Sequence, residues 1–113
     1  MALQVPFCRF ADFAIKNANF CGSQILPGLF ELCDIPDLHG LIAPKALLAE
    51  VGIHDKCFGI KGALSCCHEV QKIYAAAGVE NNYELDLFEG GHRFSGDKAF
   101  DFFDKHLKTM ASQ

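Results

Sequence analysis

Between Lys45 and Lys108 the hydrophobic pattern changes period three times, and few folds accommodate that order of elements. Lys45-Ala46-Leu47-Leu48-Ala49-Glu50-Val51 is short and apolar without strict alternation, as expected of a strand covered on both faces. From Ile60 to Ala77 the residues Ile60, Ala63, Leu64, Cys67, Val70, Tyr74 and Ala77 step by three and four, the spacing of one helix face. Gly78 follows the last turn, where a helix terminus favours glycine. Tyr83 to Phe88 predicts a second strand. Asp97 to Lys108 predicts a second helix, with Phe100, Phe103 and Leu107 inward and Lys105 and Lys108 complementing the dipole of its last turn.

Strand, helix, strand, helix at this spacing predicts a right-handed β-α-β unit with parallel strands, and hence an α/β fold. Both strands then present their carboxyl ends at one edge of the sheet, where folds of this kind place their chemistry. Asp55 follows the first strand, after Gly52-Ile53-His54. His92 follows the second, within Glu89-Gly90-Gly91-His92-Arg93-Phe94. Neighbouring strands lie roughly 4.8 Å apart, so this carboxylate and this imidazole are expected to meet.

The first third of the chain is less constrained. Leu3 to Phe7 reads as the tail of a strand, and Asn17, Asn19, Gly22 and Ser23 as a loop. A helix is expected from about Ser23 to Cys33, with Ser23 as N-cap and Pro27 near its start. Its inward face would be Ile25, Leu26, Leu29, Phe30 and Cys33. Asp34-Ile35-Pro36-Asp37 would end it, leaving a single helical turn from Asp37 to Leu41 before Pro44.

A chain of 113 residues is one domain or less. Eleven Phe residues supply ample core material, and a net charge of −4 argues against nucleic acid as a partner. No apolar run approaches the ~20 residues of a membrane span. The first residues lack the basic leader and apolar core of a secretory signal, so a soluble, cytoplasmic chain is expected. Six cysteines (Cys8, Cys21, Cys33, Cys57, Cys66, Cys67) include no C-x-x-C pair, and reduced thiols are expected in that setting.

An Asp that accepts a hydrogen bond from His Nδ1–H fixes the imidazole tautomer and steadies the imidazolium formed in catalysis, leaving Nε2 as a general base. The plainer alternative is an Asp that caps a loop beside an exposed His, and residue pattern alone does not separate the two. His54, Cys57, Cys66, Cys67 and His68 offer a rival of another class, a Cys/His metal-binding domain. Adjacent helical residues project about 100° apart, however, so Cys66, Cys67 and His68 cannot all face one ion. A catalytic Cys57 beside Asp55 and His92 would require a rearranged triad. His39, His68 and His106 read as surface or helix-face residues. Arg93 would bind a carboxylate or pair with Asp97, the structural role being preferred.

Three segments in order carry a resemblance: Asp37-Leu38-His39-Gly40-Leu41-Ile42-Ala43-Pro44-Lys45-Ala46-Leu47-Leu48, Gly52-Ile53-His54-Asp55 and Glu89-Gly90-Gly91-His92-Arg93-Phe94. Together they resemble the C-terminal part of an α/β-hydrolase, more narrowly its dienelactone-hydrolase-like and acetyl-xylan-esterase-like branch. The resemblance runs from about Phe7 to Leu107. It implies two to three parallel strands with flanking helices, the last strands of a larger sheet, with Asp55 as triad acid and His92 as triad base. It also implies a small-molecule ester substrate for the complete enzyme, no cofactor and no metal.

The chain departs from that family in two ways. Cys57-Phe58-Gly59-Ile60 stands where many members carry a proline soon after the acid. None of Ser23, Ser65 or Ser95 lies in a G-x-S-x-G turn, and no H-G-G-like oxyanion-hole run is present. Residues 1–113 therefore read as a partial hydrolase domain without nucleophile elbow or oxyanion hole, expected to be inactive as an enzyme alone. The outer edge of its first strand would invite self-association. A non-catalytic interaction module derived from the fold is the remaining alternative.

Overall fold

The computed structural model describes residues 2–3, 11 and 26–108. Its sheet is parallel, in the order β1 (Ala2–Leu3), β2 (Leu47–Gly52), β3 (Tyr83–Phe88). Ala2 pairs with Leu48, and the β2–β3 register runs from Leu47↔Tyr83 to Gly52↔Phe88. The helices are α1 (Ile35–Gly40), α2 (Ile60–Ala76) and α3 (Ala99–Phe103), the last continuing as a widened π turn over Asp104–Lys108. This is the expected α/β arrangement. Among the described residues no helix is long and apolar enough to cross a membrane.

The central strand is buried along its whole length, which accounts for its unbroken apolar sequence. Leu47, Ala49 and Val51 face α2, whose Ala63, Cys66, Cys67, Val70 and Tyr74 complete the main core together with Ile35, Phe58 and Tyr83. Leu48 faces the opposite way and packs against Ala99 and Phe102 of α3. As an edge strand, β3 is less covered, and Leu87 is exposed. Tyr74 fastens α2 to the start of β2 by donating its hydroxyl proton to the Lys45 carbonyl at 2.6 Å.

Helix α2 stops where the sequence indicates, and by the mechanism glycine provides. Gly78 has φ 74°, in the left-handed region. Its N–H bonds to the Ala75 carbonyl and that of Val79 to the Tyr74 carbonyl, both at 3.0 Å. This pair of bonds is a Schellman ending.

The segment before α1 differs from expectation. Ser23 to Ile25 lie outside the described residues. Beyond them no helix reaches Cys33, only a single 3-10 turn over Leu29–Glu31, and Leu26 and Leu32 are exposed. Gly28, at φ 81°, turns the backbone out of helical geometry directly after Pro27. Asp34 to Asp37, expected to end a helix, begin one instead. Asp34 Oδ1 accepts from Ile35 N at 2.7 Å, and Asp37 Oδ2 accepts from Asp34 N at 2.9 Å, forming a capping box on α1. Asp34→Ala is expected to lower stability by about 1 kcal/mol, read as a smaller denaturant midpoint at unchanged slope.

The last helix also shows a different face. Phe100, Phe103 and Leu107, expected inward, are exposed, and Ala99 and Phe102 are buried. The loop before α3 is tied to the sheet at Ser95 and Gly96, and that tether decides which residues lie over Leu48. The π turn then breaks the helical period on which the expectation rested. His106 stacks on Phe102 with ring centroids 4.6 Å apart, and Phe94 meets Phe100 edge-on at the surface.

Candidate functional site

Because Gly52 and Phe88 are register partners, the loops that follow them leave the sheet side by side. Two backbone bonds join these loops, Ile53 N to the Phe88 carbonyl at 3.0 Å and His54 N to the Gly90 carbonyl at 2.9 Å. The absence of a side chain at Gly52 makes this possible. A Cβ there would stand 2.4 Å from the Gly91 carbonyl oxygen and 2.6 Å from that of Gly90.

Asp55 and His92 meet at this junction, with His92 Nδ1 2.9 Å from Asp55 Oδ2. The Asp55 side chain is 9% exposed and that of His92 42%. The other carboxylate oxygen accepts from Cys57 N at 2.7 Å and from Phe58 N at 3.1 Å, so the loop's own backbone aims the carboxylate. Buried Phe58 lies beside the imidazole, with ring centroids 5.6 Å apart. A carboxylate can only accept from Nδ1–H, which leaves the lone pair of a neutral imidazole on Nε2. Such a ring can take a proton from a hydroxyl or thiol and return it to a leaving group.

Four residues to which the sequence reading gave no such role hold the His92 loop from its far side. Glu50 and Asp86 are register partners on the central and edge strands, and each is 3% exposed. Glu50 Oε2 accepts from Ser95 N at 3.1 Å and Gly96 N at 2.9 Å, and Asp86 Oδ2 accepts from Ser95 Oγ at 2.7 Å. Buried carboxylates are tolerated when hydrogen-bonded in this way. Their sequence signal was an acidic residue inside each strand at positions that pair, Glu50 alone in β2 and Asp86 alongside Glu84 in β3.

Of the other candidates Cys57 stays beside the pair, with ligand atoms of Asp55, Cys57 and His92 within 4.8 Å of one another, and the rest separate. Cys66 and Cys67 are buried in the core face of α2, whereas His68 is exposed on its outside and exposed His54 stands 3.8 Å from Glu89. The five-residue Cys/His set is thus not brought together. Burial pushes the Cys67 thiol above its ordinary pKa, which suits a packed thiol rather than a nucleophile. Cys33, Cys57, Cys66 and Cys67 form no disulfide, while Cys8 and Cys21 lie outside the described residues. Arg93 makes no ion pair with Asp97. Its guanidinium lies over the Phe88 ring at 4.8 Å, and Nη1 donates to the Phe94 carbonyl.

A parallel sheet with two facing loops at its carboxyl edge, one carrying an Asp and the other a His, has the architecture of an esterase-like α/β fold of the α/β-hydrolase class. Comparison with solved structures agrees. The chain is similar to a carbohydrate esterase family 15 glucuronoyl esterase from Caldicellulosiruptor kristjansonii, at 25% identity and a TM-score of 0.59. The match covers 67% of this chain and 21% of that chain, so the protein corresponds to about a fifth of that enzyme's length. No family model matches the chain, and no curated protein matches its sequence.

Proposed function

We propose that this chain is the C-terminal segment of a serine hydrolase acting on an ester or related acyl bond, and that it carries the acid and base of the catalytic triad. Asp55 orients the imidazole and His92 transfers the proton. The observation that carries this reading is the 2.9 Å contact between His92 Nδ1 and Asp55 Oδ2 at the carboxyl edge of a parallel sheet. The likeness to a glucuronoyl esterase supports ester chemistry, and the sequence resemblance of the three segments favours the dienelactone-hydrolase-like and acetyl-xylan-esterase-like branch. In this reading the nucleophile and oxyanion hole belong to a part of the hydrolase domain other than these 113 residues. The outer edge of β1 is where the remaining sheet, or a second copy of the chain, would pair, in a cytoplasmic setting.

The tautomer of His92 tests the pairing directly. Long-range 1H–15N spectra of the neutral ring are expected to show the Nδ1–H form, and Asp55→Asn is expected to lose that preference. With p-nitrophenyl acetate the chain alone should show slow hydrolysis, at the level of a single imidazole catalyst. His92→Ala should remove it. Asp55→Asn should reduce it roughly tenfold, well short of the ~10⁴ lost when the acid of a complete triad is replaced. An unchanged rate in folded His92→Ala, or an Nε2–H tautomer in the parent chain, would end this reading.

A further inference from the structure

A third side chain reaches the Asp55–His92 pair. One ligand atom from each of Asp55, Cys57 and His92 lies within 4.8 Å of the other two, and among the described residues this is the group of His, Cys and acidic side chains with metal-ligand spacing. We propose that these three residues form a binding site for one zinc-class divalent cation, with a fourth coordination position left to solvent or substrate.

The donor set selects the metal. A thiolate and an imidazole favour zinc and its neighbours over magnesium or calcium, which prefer all-oxygen cages. A thiolate and a carboxylate carry two negative charges, which a neutral imidazole leaves unchanged and one divalent ion neutralises. Zinc binds carboxylate oxygen and imidazole nitrogen at about 2.0–2.2 Å and thiolate sulfur at about 2.3 Å. The edges of such a tetrahedron measure roughly 3.3–3.6 Å. The 2.9 Å His92–Asp55 contact must therefore open by a few tenths of an ångström, while no edge of the triangle must close by much more than about 1 Å.

The surroundings fit the same role. Ligating carboxylates are ordinarily held by further hydrogen bonds, and the backbone N–H groups of Cys57 and Phe58 already hold Asp55 Oδ1, leaving Oδ2 for the ion. Those bonds also fix the turn that carries Cys57. His92 comes from the neighbouring loop, knitted to this one through His54 N and the Gly90 carbonyl, so the ligands are brought together by the sheet register before any ion arrives. The half-exposed His92 side chain keeps one side of the site open to solvent, as in zinc sites that retain a water. With Nδ1 as the imidazole ligand, the Nδ1–H bond to Asp55 is lost. Metal binding and the acid–base pairing are then mutually exclusive, and the ion acts as an inhibitor of the pair.

Cobalt(II) titration of the reduced 113-residue chain tests the site, with absorption as readout. One equivalent is expected to give the intense visible bands of a tetrahedral ion and a near-ultraviolet thiolate-to-cobalt band, both removed by equimolar zinc. Cys57→Ser should remove the near-ultraviolet band, His92→Ala should weaken binding at least tenfold, and Cys33→Ser should change neither. Circular dichroism of each variant establishes that the fold is retained. A thiolate band that survives Cys57→Ser, or a chain that leaves cobalt in its weakly absorbing six-coordinate form, overturns the proposal. The tautomer of metal-free His92 is unaffected by either result, so the hydrolase reading stands or falls separately.

Discussion

Gly52→Ala is expected to cost about 3 kcal/mol or more of unfolding free energy and to detach the His92 loop from the end of β2. The added methyl would lie 2.4 Å and 2.6 Å from the carbonyl oxygens of Gly91 and Gly90. These are backbone atoms, so no rotamer change relieves the contact. Overpacking of this kind costs about 1–3 kcal/mol. Moving the loop also loses the bonds from Ile53 N to Phe88 and from His54 N to Gly90, each contributing about 1 kcal/mol. Gly91→Ala is the contrast, because its nearest neighbour would be the His54 carbonyl oxygen at an ordinary 3.8 Å. That variant should stay within about 1 kcal/mol of the parent chain. Urea unfolding at pH 7 compares the two. A Gly52→Ala loss below about 1 kcal/mol, with the Nδ1–H tautomer of His92 intact, would show that the loop reaches the sheet in some other way.

The parts of the fold legible in the sequence were those set by long, consistent patterns. The spacing of Ala63, Cys67, Val70 and Tyr74 gave α2, Gly78 its end, and the two apolar runs the two longer strands within one or two residues. Placing Asp55 next to His92 needed nothing more than parallel strands and a short loop on each. Short-range competition was harder to read. Asp34 and Asp37 carry the same residue types whether they close one helix or open another, and the choice depended on Gly28 leaving helical geometry just upstream. His39, expected at the surface or on a helix face, is buried on α1, because α1 packs against α2 closely enough that a Cβ on Gly40 would strike Ile73. The inward face of α3 was set by a tether from Ser95 and Gly96 to Glu50 and Asp86, a contact between segments about 45 and 9 residues apart that no local period encodes. The same non-locality hid the clamp behind the His92 loop, whereas Cys57 is held near Asp55 by the local turn that Asp55 itself organises.

Acidification should expose the burial of His39 as a loss of stability that begins well above the range where carboxylates titrate. His39 is 7% exposed, and burial lowers its pKa from 6.5 to about 4 because the charged ring loses hydration. Above pH 6.5 the ring is neutral in both folded and unfolded chains, and its contribution to stability is fully present. As pH falls from 6.5 toward 4 the unfolded chain takes up a proton that the folded chain refuses, so unfolding becomes easier, and the loss levels off below the folded pKa. The full loss is about 3 kcal/mol, of which about 2 kcal/mol falls between pH 6.5 and 5. A domain of ordinary stability has roughly 5–15 kcal/mol in all, so this one group is consequential. His106 is shifted in the same direction, first by burial and then by the Lys105 charge. The difference between the parent chain and His39→Gln therefore isolates the effect, through urea unfolding at pH 7, 6 and 5. The parent should lose about 2 kcal/mol more than the variant across that range, and the His39 ring proton resonances of the folded parent should not titrate above pH 5. Equal losses in the two chains would mean that the folded protein accommodates a protonated His39, by hydration or by a movement of α1 away from α2.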